Sequence, residues 1–298
     1  MTEAMETGPL RPNTGEIGPI LELEQLDDNL FRNRVNDLNI NGALFGGQVL
    51  AQSLRAAMHT VSGRPPHSLH GYFIRAGDGD RPAVYQVERT RDGGSFSTRR
   101  VTAYQHGVPI FHMEASFHAG DPGWDHQVGP ELEAPDPEGL MNLAQLAEAL
   151  GDQLPPATRE RMRRFRTLEV RPTDPERQLV RRSQVARNSF WVRSPSAAAL
   201  PDEAQPCALA YASDSWLAGA ARMIHGAPGD LRGMQLASLD HAMWLHGPVR
   251  AEQWHLYETD SPWTGAGRGL ARGLIFDREG RLVASVAQEV LMRRVRER

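Results

Sequence analysis

The sequence predicts an α+β protein made of two similar units in tandem, each an antiparallel sheet wrapped around a central helix. Apolar residues alternate with a period of two between residues 67 and 117, which indicates strands. A helical pattern rich in small residues precedes that segment, and the same order of elements returns after residue 166. The chain has 298 residues, of which 40% are hydrophobic and 23% charged, so it is long enough to bury a substantial core.

The first unit is expected to span residues 21–120, after a flexible lead-in over residues 1–20. The lead-in is polar and rich in glycine and proline, and alternation begins at residues 21–26 in the manner of a half-buried strand. Residues 31–38 predict a second short strand. The helix is expected within residues 41–61, where apolar residues recur at helical spacing.

Two glycines at the start of this helix predict that another part of the backbone approaches it closely. Gly46 and Gly47 each cost about 1 kcal/mol of helix propensity relative to alanine, so tight packing has to offset them. A phosphate-binding loop is the functional alternative, but Phe45-Gly-Gly lacks a full nucleotide-binding fingerprint. All 33 Lys and Arg positions are arginine, so a phosphate-loop lysine is also missing.

Four strands are predicted after the helix, joined by short turns that favour an antiparallel meander. Asp92-Gly-Gly and His106-Gly have the composition of tight turns. Residues 121–165 then form a proline-rich linker with a modest helix at residues 138–150. The four strands are expected at residues 68–74, 84–89, 95–104 and 110–117.

The second unit is expected over residues 166–298 and repeats the order of the first. Its helix is predicted at residues 212–224. Because each unit leaves an open sheet edge, the two units are expected to cover each other's edges as a pseudo-symmetric pair. The strands of this unit are predicted at residues 166–172, 189–193, 236–245, 254–259, 268–276 and 282–292.

An internal comparison of the two units singles out three polar residues in the second, Asp214, Ser238 and Gln288. A shift of about 171 positions superposes the units. If the three residues were helix caps or surface polar groups, both copies would be free to keep them. We therefore predict that only the second unit carries the chemistry. The corresponding residues of the first unit are Ala43, His67 and approximately Ala115.

Asp214 is a lone acid among small and apolar residues, at a point where the pattern predicts the start of a helix. Ser213 or Asp214 is placed to cap that helix, and capping is the commonest role for an aspartate in this position. A carboxylate there also lies in the positive field of the helix N-terminus, which favours its ionised form. Position alone therefore leaves both a capping and a catalytic role open.

The net charge and the cysteine content limit the classes to which the protein can belong. A net charge of −4 argues against a general nucleic-acid or anionic-membrane surface. The single cysteine, Cys207, has no partner for an internal disulfide and is expected to pack in the core of a protein from a reducing compartment. No secretory signal, apolar run of 18 residues or peroxisomal C-terminus is recognisable, so a cytoplasmic location is expected.

Six motifs, in order over residues 20 to 294, make the sequence similar to the acyl-CoA thioesterases of the thioesterase II class. This resemblance implies a tandem (double) hot-dog fold and hydrolysis of acyl-CoA, of medium to long chain length, to a fatty acid and CoA. It also implies a homodimer or homotetramer. The motifs are Leu44-Phe-Gly-Gly-Gln-Val, His67-Ser-Leu-His-Gly-Tyr-Phe, Arg91-Asp-Gly-Gly-Ser-Phe-Ser-Thr-Arg-Arg-Val, Leu209-Ala-Tyr-Ala-Ser-Asp, Leu239-Asp-His-Ala-Met-Trp and Val286-Ala-Gln-Glu-Val-Leu-Met-Arg.

The resemblance further implies an active site in which an aspartate, a threonine and a glutamine hold and activate a water molecule. These roles fall on Asp214, Ser238 and Gln288, with serine here in place of the threonine. No cofactor is implied, because CoA is part of the substrate, and no metal. The residues expected near the substrate, without an assigned step, are His67, His70, Gly46 and Gly47.

Other kinds of site fit the sequence less well. A Gly-x-Ser-x-Gly elbow is missing, and metal-binding spacings of histidine or cysteine are missing too. Ser238, Asp240 and His241 have the composition of a catalytic triad, but a continuous strand would place His241 on the opposite face from the other two. A hot-dog hydratase would need a different Asp/His pattern at the helix. A non-catalytic acyl-CoA-binding protein stays open, favoured only by the serine at position 238.

Overall fold

A computed structural model describes residues 10–39, 41–132, 134–226 and 234–294 of the chain, without the side chain of Arg164. In this part of the chain, thirteen strands form one antiparallel sheet that curves around the helices of both units. The predicted α+β architecture is confirmed, and the two predicted sheets are joined edge to edge, through β3 and β10, into this single sheet.

The first unit contains a half-sheet wrapped around one long helix. Ten of the thirteen residues of that helix are buried, which explains its small and apolar composition. The two predicted turns join consecutive strands, whereas the strand after the helix pairs with the last strand of the unit and not with the next one. The elements are α1 (Ile17–Leu21), β1 (Leu23–Asp27), β2 (Leu30–Asn33), α2 (Gly46–Met58), β3 (Pro66–Phe73), β4 (Val84–Asp92), β5 (Phe96–Gln105) and β6 (Val108–His118).

Helix α1 lies inside the segment predicted to be a flexible lead-in, so that prediction is wrong for residues 17–20. Ile17 and Ile20 are fully buried, and the Ile17 N–H donates to Ser196 Oγ of the second unit at 3.0 Å. An apolar pair at helical spacing was enough to dock this short helix on the core. Residues 1–9 of the expected lead-in lie outside the described part of the chain.

The linker contains two α-helices, α3 (Leu143–Leu150) and α4 (Pro156–Arg164). The predicted helix at 138–150 begins only at Leu143, because Asn142 and Gln145 form a capping box there. Helix α4 was not predicted. Proline in its first turn is a recognised start signal that could have located it.

The second unit repeats the layout, but its predicted helix at 212–224 is wrong in position. Two helices, α5 (Gln205–Asp214) and α6 (Leu217–Arg222), meet at a break where Trp216 has a φ of 70°. Asp214 is therefore the last residue of α5 and caps no helix start. The strands are β7 (Glu169–Pro172), β8 (Arg187–Arg193), β9 (Met234–Ser238), β10 (Asp240–Leu245), β11 (His255–Gly265), β12 (Arg268–Phe276) and β13 (Leu282–Arg294).

The two units share one sheet and one core. Strand β3 pairs with β10 in antiparallel register, with Ala242 opposite His70, so each unit covers an edge of the other as predicted. Helix α2 packs along α5 beneath this seam. Cys207 of α5 is buried and unpaired, with its Sγ 3.5 Å from Met58 Sδ of α2. The N-terminus of α2 and the C-terminus of α5 meet at the same end of this helix pair.

Candidate active site

Asp214, Ser238 and Gln288 come together where α5, β9 and β13 converge. The Gln288 Nε2 donates to Ser238 Oγ at 2.6 Å, and Ser238 Oγ donates to Asp214 Oδ1 at 3.5 Å. The Gln288 amide also donates toward the Asp214 carboxylate. The three polar groups therefore surround one small volume, in which a water molecule can contact all of them.

The first unit completes this site with the start of α2. The Gly47 backbone N–H donates to the Asp214 carboxylate. A Cβ on Gly46 would lie 2.8 Å from Asp214 Oδ2, and a Cβ on Gly47 would lie 2.5 Å from the backbone oxygen of Tyr211. Both glycines are therefore required by the close approach of α5, and Asp214 lies in the positive field of a helix N-terminus that belongs to the other unit.

Burial controls the protonation of Asp214. The residue is only 9% exposed, and desolvation raises the pKa of its carboxyl above the ordinary value. The hydrogen bonds from Gly47, Gln288 and Ser238 favour the ionised form and oppose this shift without cancelling it. The result is a carboxylate that accepts a proton more readily than an exposed aspartate does.

His241 orients the side-chain amide of Gln288. It is fully buried, and its Nδ1 lies 2.7 Å from Gln288 Oε1 while its Nε2 lies 2.9 Å from Ser213 Oγ. Because an amide oxygen can only accept, we assign the hydrogen to Nδ1, and this bond turns the NH₂ group of Gln288 toward Ser238. Burial lowers the pKa of His241, which keeps the ring neutral.

The expectation that His241 faces away from Ser238 is wrong. The predicted single strand at 236–245 is two strands, β9 and β10, separated at Leu239. That interruption resets the alternation, so Ser238 and His241 both contact Gln288. Sequence alternation alone could not reveal the interruption, because the residues on both sides fit a strand.

A serine–histidine–aspartate triad does not form from these residues. The ring of His241 contacts Ser213 and Gln288 and not the hydroxyl of Ser238. Asp240 Oδ1 accepts from the Glu289 N–H at 2.6 Å, and its Oδ2 lies 3.2 Å from His70 Nε2 on the outer face of the sheet. The geometry therefore favours a site that positions water over one that activates Ser238 as a nucleophile.

His67 and His70 do not contact the three converging residues. His67 Nε2 lies 2.8 Å from Ser116 Oγ, and its ring packs against Phe96. His70 stacks on Tyr72 with ring centroids 5.3 Å apart, and half of its side chain is exposed. Of the residues expected near the substrate, the structure brings only Gly46 and Gly47 to Asp214.

A cleft of about 1740 Å³ opens onto Asp214. Its lining combines apolar rings with part of the linker, since Phe45, Tyr211 and Trp216 line it together with residues of α4. Tyr211 OH donates to the Asp37 carboxylate in the same wall. Trp216 is in the left-handed region, which a non-glycine residue occupies only when its surroundings hold it there. The cleft is large enough for an extended ligand.

The sequence did not indicate that the linker contributes to this cleft. Helix α4 supplies Arg161, and Arg166 follows soon after it.

Over residues 10–39, 41–132, 134–226 and 234–294, the side chains form no cluster of three or more potential metal ligands. Within the same ranges, none of the helices is long and apolar enough to cross a membrane.

Comparison with known families assigns both halves of the chain. The model of the acyl-CoA thioesterase N-terminal domain matches residues 36–118, and that of the acyl-CoA thioesterase C-terminal domain matches residues 137–292. Acyl-coenzyme A thioesterase 8 of Homo sapiens is 39% identical over 283 residues, covering 92% of this chain and 88% of the human protein. Acyl-CoA thioesterase 2 of Haemophilus influenzae is 36% identical over 276 residues, covering 92% and 96% of the two chains.

Solved structures agree with the predicted fold. The crystal structure of the acyl-CoA thioesterase II TesB2 from Mycobacterium marinum superposes with a TM-score of 0.77 at 40% identity, covering 94% of this chain and 98% of that one. A hot-dog protein from Alicyclobacillus acidocaldarius superposes with a TM-score of 0.72 at 18% identity, covering 93% and 98%. The second likeness concerns the fold alone. The prediction of a tandem hot-dog fold is confirmed.

Proposed function

The chain belongs to the acyl-CoA thioesterase family, and from this premise we propose that it hydrolyses acyl-CoA to a free fatty acid and CoA by direct attack of a water molecule. Asp214, Ser238 and Gln288 hold that water. The observation that carries the mechanism is the continuous set of hydrogen bonds from Gln288 through Ser238 to Asp214. The activity and the mechanism are separable, because the family supports the first and the site geometry supports the second.

Asp214 acts as the general base. Its raised pKa suits this role, because a carboxylate with a higher proton affinity takes a proton from the attacking water more effectively. Gly47 and the α2 N-terminus keep the carboxylate ionised in an otherwise desolvated position. General-base assistance of this kind is worth about 10²- to 10⁴-fold in rate.

Ser238 and Gln288 orient the water. The Gln288 amide donates to Ser238 Oγ, which leaves the serine hydrogen free to point toward Asp214 or the water. Fixing the nucleophile in line with the carbonyl lowers the entropic part of the barrier. Serine supplies the same hydroxyl as the threonine of the family pattern, so the reaction class is unchanged.

The bond changes are those of direct thioester hydrolysis. The water oxygen bonds to the carbonyl carbon while Asp214 takes its proton, which gives a tetrahedral oxyanion. The Gly46 N–H, in the first turn of α2 where Gly47 already donates to Asp214, is the proposed backbone donor for that charge. The carbon–sulfur bond then breaks, and the CoA thiolate takes the proton from Asp214. A thiol with a pKa of about 8.5 leaves readily without a strong acid.

The cleft beside Asp214 is the proposed acyl-CoA site. Aromatic and aliphatic side chains such as Phe45, Trp216 and Leu236 line it, which supports medium- to long-chain acyl groups as substrates. Hydrolysis measured over a series of chain lengths should peak in that range. A maximum at the shortest acyl groups would contradict the assignment of the apolar wall to the acyl chain.

Thiol release from acyl-CoA tests the activity and the assignment together. The wild-type protein should release CoA, Ser238→Ala should be about 10²-fold slower, and Ser238→Thr should stay close to wild type because it keeps the hydroxyl. If the wild type binds acyl-CoA without releasing thiol, the protein is a binding module and the hydrolase proposal fails. If Ser238→Ala keeps full activity, the proposed water site is wrong although the activity stands.

A cytoplasmic homo-oligomer is the proposed physiological form. The buried free thiol of Cys207 suits a reducing compartment. Tyr72 and Trp244 are 49% and 45% exposed on neighbouring strands of the shared sheet, and exposed aromatic residues are frequent at subunit contacts. Light scattering during size-exclusion chromatography should give twice or four times the mass of 33.0 kDa. A monomer mass at micromolar concentration would contradict the oligomer.

A further inference from the structure

The arginines of the linker helix fall into two sets with different surroundings. Arg159 and Arg163 form ion pairs with Asp152 and Glu148, at 3.0 and 2.7 Å, on the side away from the cleft. Arg161 lies on the opposite face of α4 and lines the cleft that contains Asp214. Its guanidinium has no ion pair or hydrogen bond with any side chain or backbone group of the described residues.

Arg166 adds a second unpaired charge to the lining of the same cleft. It is exposed, lines the cleft, and likewise has no acidic partner among the described residues. The acids in the wall are engaged elsewhere. Asp37 accepts from Tyr211, Asp214 accepts from Gly47 and Gln288, and Glu160 has a partner of its own. Two guanidinium groups therefore line the cleft without a counter-charge from any residue that the structure describes.

An unpaired guanidinium in this position is unfavourable unless a ligand supplies the counter-charge. Arg161 is partly buried, and desolvation lowers the pKa of its side chain, which reflects the cost of keeping the charge there. The chain pairs the neighbouring arginines with carboxylates, so the omission at Arg161 is specific to the cleft. A planar guanidinium binds phosphate or carboxylate oxygens through two parallel hydrogen bonds.

We propose that Arg161, with Arg166 beside it, binds an anionic oxygen group of the thioester substrate. This inference rests on the proposed function, because it assigns a binding role within the acyl-CoA site. The anion has two possible sources, the phosphates of the CoA portion or a carboxylate at the far end of the acyl chain. Both present the same chemistry to a guanidinium, and substrates that carry only one of them tell the two apart.

The experiment compares Arg161→Gln with Arg163→Gln, a matched substitution on the other face of α4. Each is assayed with an acyl-CoA, with the S-acyl pantetheine that has the same acyl group and no phosphate, and with an ω-carboxyacyl-CoA. If the phosphates are the ligand, Arg161→Gln raises KM for both CoA substrates by about ten- to a hundredfold, and leaves kcat and the pantetheine substrate unchanged. If the carboxylate is the ligand, the loss is confined to the ω-carboxyacyl substrate.

Arg163→Gln should stay within about twofold of wild type on all three substrates. The proposal is overturned if Arg161→Gln matches Arg163→Gln throughout, or if it slows all three substrates equally. Binding of CoA and of an ω-carboxyacyl-CoA, measured by calorimetry, needs no turnover. This measurement separates an error in the anion site from an error in the hydrolase assignment. If Arg161→Gln loses binding and Arg163→Gln does not, the anion site is supported even when the protein releases no thiol. Arg161→Lys, which keeps the charge, should recover part of the affinity.

Discussion

The carboxylate of Asp214 accepts a hydrogen bond from the backbone N–H of Gly47, which joins the C-terminus of α5 in one unit to the N-terminus of α2 in the other. The first unit has no counterpart of Asp214, Ser238 and Gln288. Its helix α2 nevertheless supplies a backbone N–H donor for Asp214, and the glycines at its start leave room for the carboxylate. The two units are therefore unequal contributors to a single site. This explains why the glycines persist in α2 despite their cost in helix propensity.

Gly46→Ala should reduce kcat by about 10²-fold while leaving the fold intact. The added Cβ would lie 2.8 Å from Asp214 Oδ2 and 3.1 Å from the ring of Phe73, so the carboxylate has to move. Displacement of a catalytic group by about 1 Å can cost this much. Alanine gains helix propensity, which partly offsets the strain in a thermal melt.

Gly219→Ala is the matched control for this prediction. Gly219 is also helical, in α6, and a Cβ there would meet nothing within 4 Å. Its kcat should equal that of the wild type, measured by thiol release under saturating substrate. Equal activities for the Gly46 and Gly219 variants would show that α2 does not restrict the position of Asp214.

Asp214→Asn should abolish most of the activity and raise thermal stability at neutral pH. Burial raises the pKa of Asp214 in the folded protein above its unfolded value, so the contribution of this group to stability is fully present below the unfolded pKa. That contribution is lost as pH rises through the folded pKa, and the ionised carboxylate is then unfavourable. Asparagine keeps an acceptor for the Gly47 N–H and carries no charge.

Thermal melts at two pH values check the sign of this effect. The stability gain of Asp214→Asn should be largest near pH 8 and should shrink near pH 4, where wild-type Asp214 approaches its protonated form. A rate loss of about 10²- to 10⁴-fold should accompany it. A variant less stable than wild type at pH 8 would mean that the carboxylate stabilises the fold, contrary to the direction given by its burial.

The sequence predicted the strands well and the interruptions poorly, for a physical reason. Alternation with a period of two identified β12 at the bounds that the structure has, 268–276, because burial on one face of a sheet fixes that pattern directly. The breaks at Trp216 and Leu239 leave no such pattern. Ser215 precedes Trp216 and Leu217 follows it, neither of which marks a break, and a positive φ at a non-glycine residue has no signature in the sequence.

The same breaks decide how much of the site could be predicted. Asp214, Ser238 and Gln288 were predicted because the repeat contrasts them with alanines and a histidine in the first unit, and the structure brings the three side chains together. Their partner His241 was set aside because the alternation argument assumed a continuous strand. The wall formed by α4 depends on packing of the linker against the second unit, and no local pattern reports such a long-range contact.

The acid side of the pH–rate profile should report Asp214. The base must be ionised, so kcat/KM should rise with pH through a pKa that burial has moved above the ordinary range of aspartate. Activity should therefore fall at a higher pH than it would with an exposed carboxylate as base. The rate of thiol release from pH 4 to 8, in a mixed buffer of constant ionic strength, measures this.

His70→Gln is the control for the pH profile. His70 is half exposed on the outer face of the sheet, with its Nε2 3.2 Å from Asp240 Oδ2, and it does not contact Asp214. Its removal should leave the acid limb where it was. A limb that moves in His70→Gln, or one centred at the pKa of an ordinary exposed aspartate, would be inconsistent with Asp214 as the titrating base.

His241→Leu should lower kcat by about ten- to a hundredfold with little change in KM, whereas His241→Asn should stay near wild type. His241 touches Gln288 and Ser213 and does not line the cleft, so it acts by orienting the glutamine. The amide NH₂ of asparagine lies close to the position of Nδ1 and can still donate to Gln288 Oε1. Leucine cannot, and the freed amide can then rotate away from Ser238.

His255→Asn separates this positioning role from a general effect of losing a buried histidine. His255 is 3% exposed, and its Nδ1 contacts the backbone oxygen of Gln253 in the same unit, with no contact to Asp214, Ser238 or Gln288. Its variant should lose some thermal stability and keep its kcat. If His241→Leu and His241→Asn lose kcat equally while melting like wild type, the Nδ1–H bond is not what orients Gln288, and the amide must be held by Ser238 and Asp214 alone.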